Sequence, residues 1–524
     1  MTLPADPDAA SPELLGRLGH EALAAGDAEQ AVAAFGRAIL LAPSDAALHA
    51  DIAAAYLALG RNGEALGHAE RAVRLAPGLA VAQHNLGNAR FAHGDAKGAL
   101  AAFRAARAID PDSPAHWTNF LFTQVFTDAD GDALFAENRA WGARLERRLG
   151  EIARPRPADV DPERPLRLAY FLPELDTHVT PRFVAPLLAH HDHARFNVTI
   201  YGDRVDSGPR PAALDHPRVR WVATRGLDAA AVAERMRADR VDVLLHPCTF
   251  KARYREVLAH RAAPLQIAAV NVIATTGLIR TDAFIGDEVI TPRAEAALFT
   301  ETLVRLPVFN TYRIPPDAPE VAPLPAVRAG FVCFGSFNNP TKISERAIAV
   351  WAEILQRVPA SRLLLKHRAF DAAGAQAAMR ARFAGAGTDP DRIDFAGFTA
   401  AARDYLAAYG DVDIALDPMP FSGGTTSYEA IWMGVPVLTL TGGTLLARQS
   451  TSLMKALGHS EFAADDEAAY ASRAVDLAAD LGSLAALRLS LRTAARDSIF
   501  DAAGYTRALE AAIRDLWRDV CHGT

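Results

Sequence analysis

Along the first quarter of the chain the apolar and small positions recur every 34 residues. Pro43, Pro77 and Pro111 keep that interval, as do Gly26, Gly60 and Gly94, then Ala31, Ala65 and Ala99, then Ala38, Ala72 and Ala106. Leu18, Ile52 and Leu86 form an apolar column beside the small column Gly19, Ala53 and Gly87. Small residues at this spacing predict pairs of helices that cross closely, each pair closed by a proline. From Leu166 the pattern changes. Short apolar runs alternate with stretches of helical spacing, which predicts a parallel, doubly wound sheet. The first half has strands at 167–172, 196–201, 221–223, 241–245, 266–272 and 283–285, with helices at 183–189 and 229–238. The pattern restarts at Phe331 with strands at 331–335, 362–366, 393–395, 414–416 and 437–440 and a helix at 345–357, and 484–520 reads as helical.

These patterns divide the chain into repeats with a capping helix (1–125), a linker helix and connector (126–164), a first α/β half (165–325) and a second with C-terminal helices (326–524). At 524 residues several domains are expected. The net charge of -7 argues against nonspecific nucleic-acid binding. Three scattered cysteines, Cys248, Cys333 and Cys521, point to a reducing compartment with neither a disulfide framework nor a zinc site. The N-terminus lacks the features of a signal peptide, and no apolar run reaches membrane-spanning length, so a cytoplasmic location is expected.

The most informative stretch is Asp413 to Pro436, DIALDPMPFSGGTTSYEAIWMGVP. It reads as a buried strand, a glycine turn and a hydroxyl-rich helix start. Such a start aims free N–H groups and the positive end of a helix dipole at one point, which suits a phosphate. Asp411-Val412-Asp413 has the form of a metal-binding DxD, but it leads straight into the strand and reads as capping its start. Asp128, Asp130 and Asp132 lack the glycine and glutamate positions of a calcium loop and read as a solvated turn. No metal or other cofactor is expected.

The 34-residue array over 12–113 has the tetratricopeptide pattern, so the fold expected is an α-superhelix followed by two Rossmann-like domains in the GT-B arrangement. The blocks FGSFNNPTKISERAIAVWAEILQRVPASRLLLKH (334–367) and FAGFTAAARDYLAAYGDVDIALDPMPFSGGTTSYEAIWMGVPVLTLTGG (395–443), with the repeats, resemble the O-linked N-acetylglucosamine transferases and their bacterial, SPINDLY-like relatives. The resemblance implies a protein O-glycosyltransferase, inverting and metal-independent, that moves a sugar from a UDP-N-acetylglucosamine-like donor to Ser or Thr of a protein docked by the repeats. It sets Lys342 on the donor diphosphate, Asn338 beside the donor, and Gly423, Gly424, Thr425 and Thr426 on the phosphate turn. It also sets Glu429 on the ribose, Tyr405 near the base, and His178 at the mouth of the first half as a candidate general base.

Two segments depart from the family pattern. Where bacterial members have His-Thr-Ala-Gly-Asn-Arg, this chain has Thr249 to Arg255, and the Gly-Tyr-Pro-Gly-Thr stretch is Asn271 to Thr275. Lys251, Arg253 and Arg255 add three cations on the sugar and acceptor side. They suit a sugar bearing a carboxylate, which opens an alternative: a flagellin glycosyltransferase using a CMP-nonulosonate. Two further readings are a tetratricopeptide adaptor with a degenerate transferase domain and a small-molecule glycosyltransferase, although the latter leaves the repeats without a role. The repeats serve as a groove for a protein partner, or brace the molecule or a homo-oligomer.

Overall fold

The computed structural model describes residues 11–127, 130–173, 179–203, 211–246, 251–270 and 274–523. The chain divides into two compact units, Met1–Ala129 and Asp130–Thr524.

The first unit is helical: Pro12–Ala24, Ala28–Leu41, Ala46–Ala58, Asn62–Leu75, Ala80–Ala92, Ala96–Ile109 and Pro114–Gln124. Side chains of Ser11, Asp27, Asp45, Asp95 and Ser113 cap five of these helices at their amino ends. The small column explains how each pair crosses. A Cβ on Gly19 would lie 2.5 Å from the ring of Phe35, and one on Gly87 would lie 2.5 Å from Phe103. In the middle repeat Ala53 belongs to the same buried cluster as Ala69, two alanines in place of a glycine and a phenylalanine. Gly26, Gly60 and Gly94 turn the chain within each pair at φ of 81, 71 and 90°.

Among its described residues the second unit holds two parallel sheets. The first comprises β1 (Leu166–Phe171), β2 (Phe196–Gly202), β3 (Arg220–Ala223), β4 (Val243–His246), β5 (Leu265–Ala268), β6 (Ala283–Gly286) and β7 (Thr302–Arg305). Its order is β3-β2-β1-β4-β5-β6-β7. The second comprises β8 (Cys333–Ser336), β9 (Arg362–Lys366), β10 (Ile393–Ala396), β11 (Ile414–Leu416), β12 (Val437–Leu440) and β13 (Ala463–Ala464), in the order β10-β9-β8-β11-β12-β13. Both are doubly wound, as the sequence pattern implies, and together they give the two Rossmann-like lobes of a GT-B fold. The edge strands β7 and β13 lie outside the predicted set. β7 is nowhere fully buried and β13 is two residues long, so neither presents a clear apolar run.

Two helices fall elsewhere than the sequence divisions suggest. Gly131–Leu149, read as a linker helix, is packed into the first lobe. Gly142 lies so close to Gly277 that a Cβ would sit 2.0 Å from its carbonyl oxygen. Glu146 accepts from the N–H groups of Ile279 and Arg280 at 3.3 and 2.9 Å. The C-terminal segment breaks into Leu481–Arg496 and Ala502–His522, with Asp501 capping the second. That last helix returns to the first lobe: Glu510 accepts from His191 Nδ1 at 2.7 Å and from the N–H of Asp192 at 2.9 Å. Arg514 donates to the carbonyls of Pro162 and Arg164. Among the described residues no helix is long and apolar enough to cross a membrane. Neither Cys333 nor Cys521 is in a disulfide, and Cys248 lies outside the described residues.

Candidate active site

In the second sheet the chain order reverses between β8 and β11, so their carboxyl ends flank a crevice. Doubly wound sheets bind ligands at such a switch point. β8 leads into Phe337–Lys342, and β11 leads into Asp417–Gly424, the two segments that carry the motif residues.

The glycine turn is held from inside. Asp417, buried at the end of β11, accepts from the N–H of Gly423 and from Thr439 Oγ1 at 2.8 Å. Burial pushes its carboxyl up to about 6, opposed by hydrogen bonds from Ser450, Thr439 and Gly423 and by the nearby Lys342 charge. A Cβ on Gly423 would meet Ser427 Oγ at 2.1 Å and Asp417 Oδ1 at 2.7 Å, so any side chain there must displace these groups. Ser427 and Ser450 join their hydroxyls at 2.8 Å and fix the turn from beneath. The helix Thr425–Trp432 then starts at Gly424 without a side-chain cap. The N–H groups of Gly424, Thr425 and Thr426 meet no protein acceptor among the described residues. They are half-buried donors at the positive end of a helix.

Lys342 and Asn338 reach this turn from β8. The Lys342 ammonium donates to the Ser422 carbonyl at 2.8 Å and lies 3.7 Å from the centre of the Phe421 ring. Burial pushes it down to about 8, and Asp417 acts in the other direction. Asn338 Oδ1 accepts from Thr426 Oγ1 at 3.0 Å, which fixes that hydroxyl. Tyr405 belongs to an aromatic group, its ring centre 6.0 Å from Phe337 and 6.2 Å from Tyr409. Lys366 donates to the Gly397 carbonyl and Thr399 Oγ1, with its ammonium 5.7 Å from the Tyr405 ring.

Glu429 lies one turn along the same helix and is buried, at 2% exposure. Its Oε1 accepts from Arg182 Nη1 at 2.6 Å and from the Tyr312 hydroxyl at 2.9 Å. Burial raises its pKa, and these partners pull it back down. The sequence assigns Glu429 to a ribose; in the structure it already joins the two lobes.

The three cations that the sequence suggests for a sugar and acceptor side have separate surroundings. Arg255 is buried and donates to Asn138 Oδ1 of the helix Gly131–Leu149. Arg253 pairs with Asp203 and donates to the carbonyls of Thr224 and Leu227 at 2.9 and 3.1 Å. Lys251 is half-buried at the start of the helix Ala252–Ala259, its pKa lowered by burial. The sequence reading places the arginines near the sugar and acceptor side; the fold commits both to partners within the protein. His178, Thr249 and Asn271–Ile273 lie outside the described residues. Asp413 accepts from the N–H groups of Ala326 and Cys333 at 3.0 and 2.8 Å, at the amino end of β11 and away from the crevice.

Residues 324–509 match Glycosyl transferase family 41, and residues 12–45 match a tetratricopeptide repeat. A solved O-GlcNAc transferase variant from Thermobaculum terrenum is 31% identical, each chain is covered in full, and the TM-score is 0.88. The chain belongs to the O-GlcNAc transferase and SPINDLY family. Among its relatives, the probable UDP-N-acetylglucosamine–peptide N-acetylglucosaminyltransferases named SPINDLY of Oryza sativa subsp. japonica and Petunia hybrida are each 34% identical. The matches cover 80% and 79% of this chain and 46% and 45% of theirs. The chain thus spans about half the length of the curated relatives it matches.

Sequence reasoning gave Asp417 only the end of a strand, although an Asp six positions before a glycine pair is a local signal for a turn anchor. It missed Arg182 and Tyr312 altogether. Arg182 is 247 positions from its partner, so no local pattern could have shown it.

Proposed function

We propose that this chain transfers a sugar from a nucleotide-sugar donor of the UDP-N-acetylglucosamine type to Ser or Thr hydroxyls of a protein partner held by the repeats. The observation that carries this is the crevice between β8 and β11. Three N–H donors at a helix start, which meet no protein acceptor among the described residues, face a site that Lys342 also flanks, and Asn338 holds the adjoining hydroxyl. Family membership and the names of the relatives supply the donor and acceptor classes.

The reaction needs one exchange of bonds. An acceptor hydroxyl oxygen attacks the anomeric carbon as the bond to the diphosphate oxygen breaks. Attack from the face opposite the leaving group inverts that centre. The leaving diphosphate keeps the electron pair, and the Lys342 ammonium and the helix-start N–H groups stabilise its growing charge. The hydroxyl proton passes to a base, for which His178 is our candidate. This reading is metal-independent because it assigns charge stabilisation to a cation and backbone donors, while Asp413 is already engaged by backbone N–H groups. A cytoplasmic setting belongs to the same proposal.

Calorimetry with UDP, UDP-N-acetylglucosamine and CMP tests the donor. UDP and its sugar should bind, with CMP weaker. No binding of any of them at millimolar concentration would sink the enzyme reading. Intact-mass comparison of proteins from cells with and without the gene should then show an N-acetylhexosamine increment. Complementation with Lys342→Ala separates enzyme from adaptor: the adaptor reading requires unchanged cellular function, the enzyme reading its loss.

A further inference from the structure

The Glu429 carboxylate is a meeting point of three parts of the second unit. Arg182 comes from the helix Thr180–His190 of the first lobe, Tyr312 from the segment that crosses between lobes, and Glu429 from the helix whose start forms the phosphate turn. Arg182 Nη1 also donates to the Tyr312 hydroxyl at 2.6 Å, so that hydroxyl accepts from the arginine and donates to the carboxylate. The arrangement closes a small ring of hydrogen bonds across the lobes.

Stability alone does not explain an ion pair in this place. The seam is already packed by aromatic rings: Tyr312 stacks on Tyr428 at 5.2 Å, and Phe183 meets both edge-on at 5.1 and 6.0 Å. Replacing a buried, paired charge by a well-packed apolar residue is often neutral or stabilising, because here the Glu429 charge must be taken from water. What a charged, hydrogen-bonded pair adds is direction. It holds two helices at one distance and one rotation. One of those helices carries the donor turn, four residues from Glu429 at Thr425. The other begins at Thr180, in the sequence just after the segment of the candidate base.

We propose that Arg182 is a positioning residue for transfer, fixing the first lobe against the donor-binding helix through Glu429. The inference rests on the reading that the second lobe holds a nucleotide sugar. Arg182 suits a clean test. Its side chain is 35% exposed, whereas its backbone carbonyl is held separately by the N–H of Arg313 at 2.8 Å. Removing the guanidinium leaves that backbone tie in place.

The experiment compares the full-length wild type with Arg182→Ala, Arg182→Lys and Tyr312→Phe. UDP affinity is read by calorimetry, kcat and KM by UDP release from UDP-N-acetylglucosamine in the presence of acceptor, and folding by melting temperature. Arg182→Ala should lower kcat about 10- to 100-fold, the scale on which small misplacements act, with UDP Kd and KM for the donor within about threefold of wild type. Arg182→Lys should recover part of the loss. Tyr312→Phe, which removes one hydrogen bond at Glu429 and keeps the ion pair, should lose less. If Arg182→Ala weakens UDP binding in step with kcat, Arg182 is a donor ligand and the proposal fails. An unchanged kcat also overturns it. Should Arg182→Ala not fold, unchanged kcat in both Arg182→Lys and Tyr312→Phe overturns it equally. Wild-type protein that binds no UDP would defeat the functional reading itself, a result distinct from either.

Discussion

Lys342 illustrates how burial tunes a single charged group. With its ammonium lowered to about 8, the lysine is mostly charged at neutral pH and loses that charge just above it. A contact between ammonium and diphosphate weakens as the proton leaves. UDP affinity is therefore expected to fall between pH 7.5 and 9.5 in the wild type, and to stay level over that range in Lys342→Ala. Parallel decline in both would show that Lys342 does not meet the nucleotide. Gly423 makes the complementary point about shape. Gly423→Ala would push a methyl against Ser427 and Asp417, so the turn must open. UDP affinity should drop more than tenfold, with a stability loss of about 1–3 kcal/mol measured by denaturant titration.

At the scale of elements, the repeats carry two pairs of buried or half-buried imidazoles. His49 and His68 approach at 2.9 Å between their Nδ1 atoms, and His84 and His116 do the same. Burial lowers the pKa of His68, His84 and His116, that of His84 to about 4 with His116 adding to the effect. Below the ordinary value of 6.5 the unfolded chain takes up protons that these folded histidines refuse. Stability is thus full above about 6.5 and declines as pH falls toward 4. The repeat transition should melt roughly 5–10 °C lower at pH 5 than at pH 7.5, and His84→Gln should shrink that difference. The C-terminal helix gives a second element-level prediction. Glu510→Ala leaves the N–H of Asp192 and a buried imidazole without their acceptor. It should destabilise the second unit by about 1–3 kcal/mol, read from its denaturant midpoint.

The whole molecule consists of two compact units with separate cores. If the division of labour proposed above holds, a chain beginning at Asp130 should fold and bind UDP as the full chain does, yet lose transfer to the protein acceptor. Retained transfer would revive a small-molecule acceptor.

How much was legible in advance depended on the range of each interaction. The 34-residue columns and the strand at 414–416 with its glycine turn were readable because helix crossing, strand burial and helix starts are set by neighbours in sequence. The helix Glu345–Arg357 and the strand Arg362–Lys366 follow the apolar spacing residue for residue. The motif blocks also named Lys342, Asn338 and Thr426, which the fold does bring to one crevice. By itself, then, the sequence determined the repeats, the doubly wound halves and the glycine turn at a helix start, all of which rest on local periodicity and backbone geometry. Only the tertiary structure decided which charges stay available. It turned Arg255 inward beneath the helix Gly131–Leu149, tied Arg253 to Asp203, brought the last helix back to the first lobe, and set Arg182 on Glu429. Those outcomes depend on partners dozens to hundreds of positions away, and a charge's role follows from the partner that packing gives it.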